Sequence, residues 1–119
     1  MEKKDLKPAG VFKYFEEICQ VPRPSKKIIA YLKAFGAKHN LETKVDEAGN
    51  VLIKKPATPG KENLQTVVLQ SHIDMVCEKN NDVQHDFLTD PIETEIDGEW
   101  LKAKGTTLGA DNGIGVATE

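Results

Sequence analysis

Apolar residues recur at helical spacing between Pro8 and Gln20, with Val11, Phe12, Phe15, Ile18 and Cys19 on one side and Lys13, Glu16, Glu17 and Gln20 on the other. This predicts an amphipathic first helix. Two prolines in Val21-Pro22-Arg23-Pro24-Ser25 stop it, and Ser25 is suited to cap a second helix from about Lys26 to His39. The buried stripe of that helix is Ile28, Ile29, Leu32 and Phe35, and Asn40 suits a left-handed stop. Leu41 to Asp46 and Val51 to Lys54 read as a hairpin around the turn Glu47-Ala48-Gly49-Asn50. After a break at Pro56 to Gly60, Thr66 to Ser71 is a continuous apolar run, expected as a strand buried on both faces of a mixed sheet.

Asn80 to Asp90 is polar and aperiodic, which predicts a surface loop long enough to cover a site. Ile92 to Ile96 and Glu99 to Ala103 flank the turn Asp97-Gly98 as a second hairpin, with Trp100 available to anchor it. Ala110 to Glu119 begins a helix. These elements predict an α/β fold. A length of 119 residues suits one domain with a real core, and neither a repeat nor a linker is visible.

Charge narrows the partners. A net charge of −3, with both signs interspersed, gives neither the basic field of a nucleic-acid binder nor the basic amphipathic face of a membrane binder. The charged start Met1-Glu2-Lys3-Lys4-Asp5 leads into no apolar signal core, and no apolar run is long enough to span a bilayer. The chain reads as cytosolic. Its two cysteines form no C-x-x-C and are expected to be reduced. Cys19 reads as core, and Cys77 as a small packing residue at the strand exit rather than a thiolate ligand or nucleophile.

The apolar run ends on chemistry. In Gln70-Ser71-His72-Ile73-Asp74, positions i and i+2 of extended chain share a face, so His72 and Asp74 stand side by side at a strand's carboxyl end, where α/β sheets bind ligands. An imidazole nitrogen suits a borderline divalent ion such as zinc, and a neighbouring carboxylate can take the other ring N–H and fix the tautomer. The competing reading is a hydrogen-bonded polar pair that caps a strand.

The second segment, Gly105-Thr106-Thr107-Leu108-Gly109-Ala110-Asp111-Asn112-Gly113-Ile114-Gly115, matches neither G-x-x-x-x-G-K-[ST] nor G-x-G-x-x-G, and its single D-N-G lacks the further ligands of a calcium loop. It remains a glycine-bent loop that presents Asp111 at a helix start, either as an Ncap or as a carboxylate able to bridge two cations. Between His72 and Asp111, 39 residues apart, lie a loop and a hairpin that can return the chain to the same sheet edge.

Together, Leu69-Gln70-Ser71-His72-Ile73-Asp74-Met75-Val76-Cys77-Glu78-Lys79-Asn80 and the Gly105–Gly115 segment resemble the M20 metallopeptidases, and among them the aminoacyl-histidine (Xaa-His) dipeptidases. Phe15-Glu16-Glu17-Ile18, Val21-Pro22-Arg23-Pro24-Ser25 and Asp46-Glu47-Ala48-Gly49-Asn50-Val51 extend the resemblance over nearly the whole chain. It implies the N-terminal part of a three-layer αβα zinc-exopeptidase-like catalytic domain with a mixed sheet, holding two divalent metal ions, Zn first and Mn or Co as alternatives. By the same resemblance His72 binds one metal, Asp111 bridges both, and Asp74 assists catalysis by orienting His72. The implied reaction is hydrolysis of small peptides by a metal-bound water that a downstream glutamate deprotonates.

That glutamate, the remaining ligands and the family's smaller substrate-binding or dimerisation domain are not found in this sequence, so residues 1–119 read as a truncated piece that is inactive alone. The parent is expected to act in the cytoplasm, with homodimers, and to bind neither nucleic acid nor membrane. A deacylase or carboxypeptidase of the same fold and a non-catalytic binding module are the other readings. Glu119 is no substitute base, being eight residues after Asp111. His39 reads as a helix-end residue, His85 as a loop residue, and Lys54, Lys55 and Lys61 as solvated surface.

Overall fold

The first helix forms where the apolar stripe requires it. α1 spans Ala9–Cys19 in the computed structural model, which describes residues 1–24 and 26–119, and it buries Phe15, Ile18 and Cys19. α2 spans Lys27–Lys38, β1 Glu42–Val45, β2 Val51–Lys54, β3 Thr94–Asp97, β4 Trp100–Ala103 and α3 Ala110–Thr118. The fold is mixed α/β with small antiparallel sheets, β1 paired with β2 and β3 with β4. The chain divides into two compact units, Met1–Ile28 with Gln70–Glu119, and Ile29–Leu69. Ser25, expected as a cap, lies outside the described residues.

In the larger unit α1 packs on α3. Phe15, Cys19 and Ile92 are the buried centre, and Met75, Leu101, Leu108 and Ile114 close round it. The Ile92 N–H donates to the Cys19 carbonyl at 2.8 Å, which ties the end of α1 to the entrance of the second hairpin. Thr94 Oγ1 donates to Glu16 Oε1 at 2.8 Å and accepts from Lys3 Nζ, joining the N-terminal 3-10 turn Lys3–Asp5, α1 and β3. In the second hairpin Asp97 faces Trp100, so the two-residue turn is Gly98-Glu99, one position later than expected, with Gly98 at φ 62. Trp100 is 75 % exposed and does not anchor the hairpin, a correction to the sequence reading. Its partner across the turn is the solvated Asp97, so the ring has no apolar surface opposite.

Burial pushes the Cys19 thiol up to about 12, with nearby Glu16 adding to the effect. Below its ordinary value of 9.0 the thiol is protonated in both folded and unfolded chains and adds no slope. Above it the unfolded chain ionises first, so folding stability falls as pH rises towards 12, by about 1.4 kcal/mol per unit. Urea midpoints taken up to about pH 10.5 should therefore decline less steeply in Cys19→Ala than in the wild type; parallel slopes would refute the assignment.

In the smaller unit α2 ends as its Asn40 foretold, at φ 55. Leu41 N–H reaches Gly36 O at 2.8 Å and Asn40 N–H reaches Ala37 O at 3.1 Å, the paired bonds of a Schellman ending. A Cβ on Gly36 would overlap Thr43 Oγ1, so glycine there lets β1 approach the helix. The β1–β2 register pairs Glu42 with Lys54 and Val45 with Val51, and Asp46 closes the turn by accepting from Asn50 N–H and Nδ2, both at 2.8 Å.

The expected strand at Thr66–Ser71 does not form. Val67, Val68 and Leu69 are 80 %, 78 % and 65 % exposed, because a strand buried on both faces needs two neighbouring strands and none of the four described strands pairs with this run. The single mixed sheet is correspondingly replaced, among the described residues, by two separate hairpins.

Candidate functional site

Beyond the missing strand, the chain from Ser71 to Glu78 alternates strictly between half-buried and exposed positions. Ile73, Met75 and Cys77 turn inward; His72, Asp74, Val76 and Glu78 turn out. His72 and Asp74 thus share the outer face, as the two-residue spacing required. Cys77 lies on the opposite one, where burial raises its thiol above the ordinary range. It is half-buried packing rather than a third donor beside His72.

The two motif segments are held against each other by backbone. Lys79 and Thr106 form an antiparallel bridge, Asn80 N–H donates to Gly105 O at 2.8 Å, and Thr107 N–H donates to Glu78 O at 2.9 Å. The Thr107 hydroxyl also donates to Val76 O at 2.6 Å. The chain then turns through Gly109, at φ 75, into α3.

At the top of this pairing His72, Asp74 and Asp111 converge. His72 Nδ1 lies 3.1 Å from Asp74 Oδ1, and His72 Nε2 lies 2.9 Å from Asp111 Oδ1. Both ring nitrogens therefore face a carboxylate oxygen, which favours the doubly protonated ring. The Asp111 hydrogen bond is the chief cause that holds the imidazole above its usual range, partial desolvation opposes it, and Asp74 adds to it through its backbone carbonyl and its charge. Asp111 is not a helix cap: Gly109 occupies that position without a side-chain bond, and Asp111 and Asn112 have non-helical torsions that turn the carboxylate towards the imidazole.

The donor set suits a divalent cation in part. Two ligands of one tetrahedral zinc, each about 2.1 Å from it, lie roughly 3.4 Å apart. The observed 2.9 Å is about half an ångström short of that, a distance that two exposed side chains cover by a small rotation. Asp74 already occupies the position behind Nδ1 that orients a ligating imidazole. Among the described residues no group of three His, Cys, Asp or Glu is placed to hold an ion, so the site supplies two donors and one orienting carboxylate. His85 stands apart, edge-on to Phe87, with its Nε2 buried and unpaired. His39 lies tilted against Phe35, with ring centroids 4.4 Å apart, just past the end of α2.

Arg23 also engages both segments, although no motif in the sequence announces it. It is 5 % exposed, and its guanidinium donates to Ile73 O at 2.8 Å, Asp74 O at 3.1 Å and Gly109 O at 2.5 Å. Its signal in the sequence was limited to a cation fixed between two prolines.

The known proteins that this chain resembles are dipeptidases. The chain is 49 % identical over 120 residues to the cytosol non-specific dipeptidase of Escherichia coli (strain K12), an alignment covering 98 % of this chain and 25 % of the relative. The crystal structure of aminoacylhistidine dipeptidase from Vibrio alginolyticus superposes with a TM-score of 0.91 at 52 % identity, covering 99 % of this chain and 25 % of that one. The chain therefore spans about a quarter of the length of these relatives. No protein-family model matches it. No described helix is long and apolar enough to cross a membrane.

Proposed function

We propose that this chain carries the first ligands of a metal-dependent dipeptidase of the M20 type, with His72 on one metal, Asp111 bridging two and Asp74 orienting His72. The observation that carries this reading is the convergence of His72 Nε2 on Asp111 Oδ1, with Asp74 behind Nδ1, in a chain related to dipeptidases. Divalent ions held there, zinc first and manganese or cobalt otherwise, supply Lewis acidity and an acidified water. The substrate is a dipeptide, of the Xaa-His type named for the Vibrio relative. Within that reaction, this chain's residues place an imidazole and a carboxylate on one exposed face and keep the imidazole's second nitrogen engaged. The chain belongs to a three-layer αβα domain, and the exposed apolar residues Val67, Val68 and Leu69 support an inner strand of its larger sheet. The remaining ligands, the base and a dimerising domain belong to the length that the relatives have beyond this quarter. A cytoplasmic location follows the name of the Escherichia relative.

Isothermal titration with zinc tests the reading. The polypeptide 1–119 should bind zinc weakly, His72→Ala should abolish that binding, and affinity should fall with falling pH because metal and proton compete for Nε2. Tight binding of two ions by residues 1–119, or unchanged affinity in His72→Ala, would overturn it.

A further inference from the structure

The contacts that bring His72 to Asp111 cannot hold themselves. The side chains of Asp74 and Asp111 are 82 % and 95 % exposed, and ion pairs so open to water contribute little. The spacing must be fixed from behind, by the backbone on which the side chains stand. Two of the three carbonyls that Arg23 engages belong to Ile73 and Asp74, immediately after His72; the third belongs to Gly109, two residues before Asp111. One planar group with fixed donor directions thus spans both motif segments.

Glycines make room for it. A Cβ on Gly109 would stand 2.6 Å from Arg23 Nη1, and one on Gly113 would stand 2.7 Å from the same atom. The glycines on either side of Asp111 are therefore the floor on which the guanidinium lies. Its burial lowers the arginine's proton affinity, and the carboxylates of Asp74 and Asp111 act against that. A buried cation satisfied by carbonyls is costly to place and tolerates little movement of its partners.

We propose that Arg23 is a positioning residue for metal binding, locking the Ile73–Asp74 backbone to the Gly109 turn so that His72 and Asp111 meet at ligand distance. The proposal rests on the metal reading above. Arg23→Lys keeps charge and stem but cannot reach three carbonyls, and Arg23→Met removes the charge. Both should weaken zinc binding by about tenfold at temperatures where the fold persists, the effect expected when a partner behind a ligand is lost. Leu32→Val, a buried change in α2 that lies in the smaller unit and outside both segments, should lower the melting temperature and leave zinc affinity unaltered. Wild-type zinc affinity in a folded Arg23→Lys or Arg23→Met protein overturns the proposal. Unchanged affinity in His72→Ala overturns the metal reading instead.

The positioning itself is then read without metal. In the zinc-free wild type the Arg23 Nε–H should give a slowly exchanging NMR signal, and Arg23→Lys should shift the amide signals of Asp74 and Asp111 while Leu32→Val does not. A rapidly exchanging Nε–H, or unmoved amides, overturns it even if Arg23→Met fails to fold.

Discussion

Phe15→Ala should cost the larger unit roughly 3–5 kcal/mol, the range for emptying a fully buried aromatic site. Phe15 is 0 % exposed and lies where α1, α3 and the chain around Met75 meet. Its ring edge stands 3.0 Å from where a Cβ on Gly113 would be, so α3 approaches it at glycine distance. Arg23 Nη1 stands 2.7 Å from the same point, so the guanidinium already occupies the space beside the ring and limits how far α3 can collapse into the cavity. A small domain's whole stability is about 5–15 kcal/mol, so this loss should remove most of the cooperative transition in urea. Trp100→Ala, which truncates a larger but solvated ring, should stay within about 0.5 kcal/mol of the wild type. A Phe15→Ala midpoint as close to wild type as that of Trp100→Ala would show that the core is placed elsewhere.

The contrast between these two aromatics marks what the sequence could carry. Phe15 sits in a 3.6-residue stripe and its burial follows from that periodicity; Trp100 has no such frame, and assigning it an anchoring role assumed that a large ring finds apolar company. Asn40 and the hairpin turns were legible because left-handed backbone restricts the residue types that can occupy it. Thr66–Ser71 departs from the expected strand for a different reason. Composition reveals that a strand could be buried, but burial requires neighbours, and none of the described strands supplies them.

The site divides in the same way. That His72 and Asp74 share a face follows from the two-residue alternation, which persists from Ser71 to Glu78 even without a full ladder. The bend at Asp111 and Asn112, which swings the carboxylate off the helix start, has no signature beyond the surrounding glycines. Arg23 has less still: its partners are backbone carbonyls, which every residue possesses, so no pairing of side chains announces it.

Gly109→Ala should separate these influences, because a backbone penalty and a clash with the guanidinium meet at one added methyl. At φ 75 a side chain costs about 1–2 kcal/mol from backbone alone. The new Cβ would also meet Arg23 Nη1 at 2.6 Å and Met75 Sδ at 2.8 Å. Met75 can move aside, but Arg23 cannot move without surrendering a bond to a carbonyl, and a buried donor left unpaired costs roughly 1–3 kcal/mol. Together these predict a loss of about 3 kcal/mol, with zinc affinity falling alongside it. Two other glycines isolate the contributions. Gly98→Ala shares the positive φ, 62, but its Cβ meets nothing within 4 Å, so it should lose only the backbone cost and leave zinc binding intact. Gly10→Ala, in α1 and equally unobstructed, should stabilise the chain by up to about 1 kcal/mol. If urea denaturation finds Gly109→Ala no worse than Gly98→Ala, the guanidinium is not wedged against that turn, and the distance between His72 and Asp111 is set by something other than Arg23.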